Sequence, residues 1–187
     1  MRIVGGRFKG RRLVAPEGRD VRPTSDRARE SIFNILAHAD FAPDLEGASV
    51  VDIFAGTGAM GLEAMSRGAT TATFLEIDPR ARAAIIKNAG TMGQASTIRV
   101  LNLNATMLPP PPRIAKCPAT VIFLDPPYGE DVLPGVLLSL LHRGWADSGT
   151  LCVAETPSER DFDPPRGYSL ADQRTYGAAL VSFLIAN

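Results

Sequence analysis

Asp125, Pro126, Pro127 and Tyr128 are the residues whose types and order best suit catalysis, and they directly follow an apolar stretch at 119–124. An exocyclic amino group on a nucleobase is a weak nucleophile, because its lone pair is delocalised into the ring. Two hydrogen-bond acceptors aimed at its protons would turn the lone pair towards an incoming methyl group, and the Asp125 carboxylate and the Pro126 carbonyl could supply them. The prolines hold φ near ~−65°, and Tyr128 could stack on the base. The motif therefore predicts amino methylation that depends mainly on positioning and charge complementarity.

A second group of residues predicts a cofactor that resembles a nucleotide. An apolar stretch at 49–54 surrounds Asp52, and glycines follow it at positions 56, 58 and 61 in the spacing G-x-G-x-x-G. A strand that turns through glycine into a helix leaves main-chain N–H groups free at the helix start, where a ligand can approach closely. This spacing is also the dinucleotide fingerprint, so NAD and S-adenosylmethionine both fit it.

Two carboxylates narrow the choice of cofactor. Glu76 stands twenty residues after Gly56, at the end of the next apolar stretch, where it could accept hydrogen bonds from two ribose hydroxyls. Both cofactors carry that ribose, so Glu76 does not distinguish them. Asp52 favours S-adenosylmethionine, because a carboxylate beside the turn suits an ammonium group better than a pyrophosphate. The absence of any basic residue between positions 50 and 66 points the same way.

The elements that must position these residues alternate between strand and helix. We predict strands at 49–54, 71–77, 97–102, 119–124 and 148–155, and helices at 58–68, 79–92 and 130–143. A strand near the C-terminus and its antiparallel partner occupy 166–186. This order predicts a Rossmann-like α/β fold with a central, mostly parallel sheet of seven strands and helices on both faces. Ligands bind such sheets at the carboxyl ends of the strands, where Asp52, Glu76 and Asp125 would meet.

The N-terminal part of the chain differs from this body in pattern and in charge. Residues 1–14 predict a β-hairpin with a glycine-rich, basic turn, and residues 26–39 predict an amphipathic helix. Residues 1–30 contain nine basic and four acidic residues, a charge of +5, whereas the remainder has 11 basic and 16 acidic residues, a charge of −5. A basic segment on an acidic body indicates a polyanionic partner.

Length and composition limit the remaining possibilities. At 187 residues and 45% hydrophobic content, the chain suits one α/β domain with a small extension. No apolar run reaches the ~18 residues that span a bilayer, and the start of the chain lacks the apolar segment of a signal peptide. Cys117 and Cys152 have no metal-ligand spacing, which is typical of buried thiols in a cytosolic protein. We therefore expect a cytoplasmic monomer with no metal and no membrane association.

The motifs resemble those of class I S-adenosylmethionine-dependent methyltransferases and, more narrowly, those of the bacterial RsmD-type family. That family methylates the N2 of a guanine in 16S ribosomal RNA of the small subunit. The resemblance covers nearly the whole chain, and its N-terminal part is the most specific. The matching stretches are 2–6, 9–13, 22–34, 52–58, 61–64, 66–69, 125–128 and 176–177.

The resemblance implies a role for individual residues. It implies S-adenosylmethionine contacts from Asp52, Gly56, Gly58 and Glu76, and target-base contacts from Asp125, Pro126 and Tyr128. We add further cofactor contacts at the strand ends, from Phe54, Ile77 and Asp125. Class I enzymes often have an acid after the third strand that contacts the adenine amino group. Asn104 stands there in this chain, and its amide oxygen could still accept that hydrogen bond.

The basic N-terminal segment is the expected RNA-binding part. We predict that residues 1–44 form an extension that binds RNA and that residues 45–187 form the methyltransferase domain. The predicted RNA contacts are Arg7, Lys9, Arg11, Arg12, Arg22 and Thr24. Arg27 and Arg29 either fold back over the active site, as family members suggest, or lie on the surface of a helix.

The predicted activity is transfer of a methyl group from S-adenosylmethionine to the N2 of a guanine in 16S ribosomal RNA, either free or in an assembled 30S subunit. A DNA adenine-N6 methyltransferase would use the same Asp-Pro-Pro-Tyr chemistry. An NAD-dependent oxidoreductase would use the same glycine spacing. The family resemblance, rather than the chemistry of the residues, favours guanine over adenine.

Overall fold

A computed structural model of the chain describes residues 1–15, 25–127, 131–159 and 162–187. Its strands are β1 (Ser49–Ile53), β2 (Thr71–Leu75), β3 (Ile98–Leu101), β4 (Val121–Leu124), β5 (Leu151–Pro157), β6 (Tyr168–Tyr176) and β7 (Ala179–Ala186). They form one seven-stranded sheet in the order β3-β2-β1-β4-β5-β7-β6. Neighbouring strands from β3 to β5 are parallel, and β7 is antiparallel to both β5 and β6. The predicted Rossmann-like sheet is confirmed, and β1 lies near its centre.

Four helices connect and cover the strands: α1 (Asp26–His38), α2 (Ala59–Ser66), α3 (Pro79–Thr91) and α4 (Leu133–Arg143). Local sequence sets their ends. The Ser25 hydroxyl accepts from the Ala28 N–H at 3.1 Å at the start of α1, and the Asp78 carboxylate accepts from the Arg80 N–H at 2.9 Å at the start of α3. α4 ends at Gly144, which has the positive φ of 79° that glycine adopts without strain.

The core has two parts because successive side chains of a strand point to opposite faces of the sheet. Val50 packs with α1, α2 and α3 on one face, and Val51 packs with α4 on the other. Helices therefore cover both faces, as the alternation of elements predicts. Cys152 is buried and Cys117 is half-buried, and burial raises the pKa of both thiols to about 12.

The predicted N-terminal β-hairpin is not confirmed as a regular strand pair. The two halves of the segment pair antiparallel at Arg2 and Arg12, where the Ile3 N–H donates to the Arg11 carbonyl at 2.9 Å, and a 3-10 turn at Gly6–Phe8 joins them. The N–H groups that face away from this short pairing bind the body: the Val4 N–H donates to Glu63 Oε2 at 2.8 Å, and the Val14 N–H donates to Asn88 Oδ1 at 2.8 Å. We call residues 1–15 the N-terminal arm.

The proline-rich stretch between β3 and β4 has a structural role. It contains only short 3-10 turns, at Ala105–Met107 and Arg113–Ala115, as proline content predicts. The Pro109 carbonyl accepts from the indole N–H of buried Trp145 at 2.7 Å, and the Ala115 carbonyl accepts from the Thr73 hydroxyl at 3.0 Å. These bonds satisfy buried polar groups of the core and hold the connection against the sheet.

A buried ionic network joins the N-terminal arm and α1 to α2. Arg29 is fully buried, and its guanidinium bonds Asp26 Oδ1 at 2.8 Å and lies 3.8 Å from Glu63 Oε2. It also donates to the Arg2 carbonyl. Buried Glu63 accepts from Arg67 Nε at 2.8 Å. Arg29 is therefore part of the core and not a surface charge of the helix.

We predict that Arg29→Met lowers the free energy of unfolding by about 3–5 kcal/mol, because it leaves Glu63 buried beside one fewer cation. Urea unfolding followed by circular dichroism measures the change. The matched control is Arg174→Met, which removes an exposed partner of Asp172 and should cost at most about 1 kcal/mol. Equal losses for the two variants would show that the Arg29 network is not specially stabilising.

Candidate active site

The carboxyl ends of three adjacent strands form the candidate site. Ile53 at the end of β1 is in register with Leu75 of β2 and with Leu124 of β4. Glu76 and Asp125 follow these two partners directly, so they lie on either side of the chain that leaves β1. Asp52 stands within β1, between Phe74 and Phe123 of the neighbouring strands. The sheet thus brings together the three carboxylates that the sequence singled out.

The turn from β1 into α2 depends on positive φ angles and on close packing. Phe54, Gly56 and Gly58 have φ values of 60°, 52° and 75°, and Gly58 is the N-cap of α2. A Cβ added to Gly61 would lie 2.5 Å from Phe74 Cε1, so only glycine fits there. We call residues 54–61 the glycine turn.

Two acidic side chains hold the glycine turn through its main chain. Asp52 Oδ2 accepts from the Gly61 N–H at 2.9 Å, and Glu76 Oε2 accepts from the Gly56 N–H at 2.9 Å. Glu76 Oε1 also accepts from the Asp78 N–H at 2.8 Å, which turns the chain at the end of β2. A carboxylate has about four lone-pair positions. Each acid can therefore hold the turn and still accept hydrogen bonds from a ligand.

The electrostatics of the site favour a cationic ligand. Burial raises the pKa of Asp52 to about 7, and the negative charge of Glu76 adds to this rise, while the bond from Gly61 opposes it. Burial also raises the pKa of Asp125 well above its ordinary value, and the charges of Glu155 and Asp52 raise it further. A positive ligand between these groups would offset their mutual repulsion.

Two residues support the site that sequence reasoning missed. Arg82 Nη1 donates to the carbonyls of Glu76 and Ile77 at 3.1 and 2.7 Å, which fixes the main chain after β2. Asn88 Nδ2 donates to the Thr57 carbonyl at 3.1 Å and to the Val14 carbonyl at 3.1 Å. The buried face of α3 holds Ala81, Ala84, Ile85 and Asn88. In the sequence, Asn88 could have been recognised as a polar residue at a helical position whose neighbours on the same face are apolar.

The other predicted cofactor residues lie at the same edge of the sheet. Phe54 is half-buried, whereas the Ile77 side chain is 60% exposed although it is apolar. Asn104 is exposed, and its Oδ1 accepts from the N–H and the hydroxyl of Thr106 at 3.0 and 2.9 Å. The amide oxygen of Asn104 therefore caps a turn, and it would have to share that role with any adenine contact.

Three of the four residues of the predicted catalytic motif lie within the described part of the chain. Pro126 is half-buried and Pro127 is exposed after Asp125, while Tyr128 lies outside the described residues. Of the predicted RNA contacts, Arg22 and Thr24 also lie outside them. The other four, Arg7, Lys9, Arg11 and Arg12, are exposed and line one groove of about 530 Å³ together with Phe8, Gly10 and Thr91. We call this the basic groove.

Within residues 1–15, 25–127, 131–159 and 162–187, no group of three or more His, Cys, Asp or Glu side chains is arranged to hold a metal ion. Across the same ranges, the helices are too short or too polar to cross a bilayer.

Comparisons with known proteins agree with this geometry. A family model described as conserved hypothetical protein 95 matches residues 1–185. Ribosomal RNA small subunit methyltransferase D of Escherichia coli K12 is 36% identical over 180 residues, which cover 95% of this chain and 85% of that protein. The protein of the same name from Haemophilus influenzae is 31% identical over 182 residues, covering 95% and 89%.

Solved structures show the same architecture. The Escherichia coli protein yhhF superposes with a TM-score of 0.82 at 34% identity, covering 100% of this chain and 98% of that one. A Salinibacter ruber RNA methyltransferase in complex with S-adenosyl-L-homocysteine has a TM-score of 0.62 at 18% identity, covering 88% and 94%. This more distant likeness shows the fold alone.

A mostly parallel sheet of this order, with a glycine turn and two acids at its carboxyl edge, is a Rossmann-like site, and the relatives and solved structures show that it is of the methyltransferase class. The matches over nearly the full chain narrow the class further. The protein belongs to the RsmD family, which confirms the resemblance seen in the sequence.

The raised pKa values predict how stability depends on pH. In the unfolded chain, both Asp52 and Asp125 ionise near their ordinary pKa of 3.8, whereas in the folded protein they retain protons to higher pH. The folded state therefore binds more protons, and the free energy of unfolding of the ligand-free protein should fall as the pH rises from 5 to 8. The fall is at most about 1.4 kcal/mol per pH unit for each group.

Urea unfolding at pH 5, 6, 7 and 8 tests this dependence. We expect Asp52→Asn and Asp125→Asn each to flatten the fall, because neither amide can release a proton. Asp40→Asn removes an exposed carboxyl and serves as the control, which should keep the wild-type slope. A wild-type stability that rises from pH 5 to pH 8 would contradict the raised pKa values.

Proposed function

We propose that the protein transfers a methyl group from S-adenosylmethionine to the exocyclic N2 of a guanine in 16S ribosomal RNA. The main support for this proposal is that Asp125 and the glycine turn lie at the ends of adjacent strands, β4 and β1. A methyl donor and an acceptor base held there would meet at the same edge of the sheet. Curated relatives over 95% of the chain are named ribosomal RNA small subunit methyltransferases, which supports ribosomal RNA as the substrate.

Asp52, Glu76 and the glycine turn are the groups that would hold the donor. Glu76 has lone pairs left for the two ribose hydroxyls, and Asp52 carries the charge that suits the ammonium of the methionine part. The exposed apolar side chain of Ile77 offers a surface for the adenine, with Phe54 and Asn104 nearby at the strand ends. When bound, S-adenosylmethionine supplies an electrophilic methyl group on a sulfonium.

Asp125 and Pro126 would orient the acceptor. The Asp125 carboxylate and the Pro126 carbonyl accept hydrogen bonds from the two amino protons, which directs the nitrogen lone pair at the methyl carbon. As the new N–C bond forms and the S–C bond breaks, the amino group becomes acidic. A carboxylate with a raised pKa is well suited to take the released proton and pass it to water. Tyr128 is assigned to stacking on the base.

The RNA contacts belong to the same proposal. Arg7, Lys9, Arg11 and Arg12 would bind phosphates from the basic groove, and Arg22 and Thr24 from the segment that follows. Residues 1–44 would then serve RNA binding and residues 45–187 methyl transfer. The substrate is either free 16S ribosomal RNA or the assembled 30S subunit.

We predict that the protein transfers labelled methyl groups to 16S ribosomal RNA, and that Asp125→Ala abolishes the transfer. The assay supplies labelled S-adenosylmethionine with unmethylated 30S subunits, free 16S ribosomal RNA or duplex DNA. Label in DNA alone would favour the adenine-N6 alternative, and label in none of them would reject the proposal. Calorimetry on Asp125→Ala should show that most of the S-adenosylmethionine affinity is kept, because Asp52, Glu76 and the glycine turn are assigned to hold the donor and Asp125 mainly to orient the acceptor. Lost affinity would contradict that role.

We also predict that the affinity for S-adenosylmethionine rises about tenfold between pH 6 and pH 8, because Asp52, with a pKa near 7, must ionise to bind the ammonium. Calorimetry in buffers of different ionisation enthalpy measures both the affinity and the protons released. Asp52→Asn should bind more weakly and lose this dependence, whereas the exposed control Asp40→Asn should keep it. Tight, pH-independent binding by Asp52→Asn would remove Asp52 from the cofactor site.

A further inference from the structure

The basic groove lies at the opposite end of the sheet from the candidate active site. Arg7 Nη2 donates to Gln94 Oε1 at 3.1 Å, and Gln94 follows the C-terminal end of α3. The Phe8 N–H donates at 3.0 Å to the hydroxyl of Ser66, the last residue of α2. Both helices run back from the carboxyl edge, so their ends mark the amino edge of the parallel strands.

The lengths of β2 and α3 give the distance between the two edges of the sheet, and so between the groove and the site. The five residues of β2, from Thr71 to Leu75, span about 17 Å at ~3.3 Å per residue. The 13 residues of α3 span about 20 Å at 1.5 Å per residue. The part of the groove at Arg7 and Lys9 therefore lies roughly 15–20 Å from Glu76 and Asp125. Arg12 lies closer to the site, because Val14 two residues later donates to Asn88, which also bonds the Thr57 carbonyl.

The arm that carries the groove is held firmly against α2. Ser66 Oγ donates to the Gly5 carbonyl at 2.6 Å, and the Val4 N–H donates to Glu63 at 2.8 Å. A Cβ at Gly6, which has a φ of 71°, would lie 1.9 Å from the Ser66 carbonyl oxygen, so the contact requires glycine there. The groove is thus formed before any partner binds, which lowers the cost of ordering it.

The groove suits backbone phosphates better than bases. Four of its side chains are cationic, and the described residues that line it include no carboxylate. Its aromatic residue, Phe8, is half-buried, with the Arg7 guanidinium stacked 4.6 Å from the ring centre. Phe8 is therefore less available to stack on a base than an exposed ring would be. Phosphate contacts position a nucleic acid without reading its sequence.

We propose that the basic groove binds the phosphates of a double-helical RNA segment at a distance from the methylated guanine. This inference rests on the proposed function. Because successive phosphates on one strand of a duplex are spaced by about 3 Å along the helix axis, a separation of about 15–20 Å corresponds to roughly five to seven base pairs. The substrate is then a folded RNA element that reaches both ends of the sheet, and not an isolated strand at the active site.

Directed hydroxyl-radical cleavage of 16S ribosomal RNA tests this placement. An iron chelate is attached to Lys9→Cys in the groove or to Asp131→Cys beyond the β4 end, each in a Cys117→Ser background; Cys152 is buried. The Asp131 tether should cut next to the methylated guanine, and the Lys9 tether should cut about five or more base pairs away. Lys9 cleavage at the nucleotides beside the guanine, or no Lys9 cleavage, would overturn the inference. If no RNA is methylated at all, the proposed function fails as well.

Charge removal tests the same inference kinetically. We expect Arg7→Gln/Lys9→Gln to raise KM for 16S ribosomal RNA and to reduce the slope of log affinity against log salt by about 2, one for each cation. The loss should lie in KM and not in kcat. Arg113→Gln/Lys116→Gln removes two exposed charges from the β3–β4 connection and should change neither value. A fall in kcat with KM unchanged would place Arg7 and Lys9 at the transfer step and contradict a remote site.

Discussion

Two carboxylates on adjacent strands hold the glycine turn, and the candidate site depends on these bonds. Asp52 and Glu76 satisfy the N–H groups of Gly61 and Gly56, which would otherwise be left without partners near the core. The cost is a concentration of negative charge at the carboxyl edge, where Asp125 also lies. Burial and the neighbouring negative charges raise the pKa of Asp52 and that of Asp125. The ligand-free site is therefore destabilised by the repulsion and burial of its carboxylates, and a bound cation would reduce this cost. S-adenosylmethionine carries two cationic groups, a sulfonium and an ammonium.

The N-terminal arm has two roles: it supports the glycine turn of the site, and it presents a positively charged surface. Asn88 bonds both Val14 of the arm and Thr57 of the glycine turn, and the Thr57 hydroxyl lies 3.4 Å from Met1 Sδ. At its other end the arm packs on Ser66 and is joined through Glu63 to Arg29. The same segment therefore contacts the glycine turn at the carboxyl edge and presents Arg7 at the amino edge. RNA and cofactor would act on one connected set of residues.

Much of this could be predicted from the sequence, because periodicity and strand order are local signals. The alternation of strands and helices fixed the sheet, and Glu76 and Asp125 fell at adjacent strand ends because parallel strands share an edge. The predicted hairpin is not confirmed as a regular strand pair: the arm pairs with itself only briefly and is held by bonds from Val4 and Val14 to Glu63 and Asn88, which are distant in sequence. Burial of Arg29 was also missed, since its partners come from three separate segments. The charge pattern of the sequence identified a basic arm, but only the fold shows that Arg7 lies at the amino edge of the sheet, opposite the edge of Asp125.

Identification of the methylated nucleoside is the most direct test of methyl transfer to guanine N2. 16S ribosomal RNA from subunits incubated with the protein and S-adenosylmethionine would be digested to nucleosides and analysed by mass spectrometry, with untreated subunits as the reference. If the protein methylates guanine N2, N2-methylguanosine should increase and no other methylated nucleoside should. An increase in N6-methyladenosine, or no change in any methylated nucleoside, would contradict it.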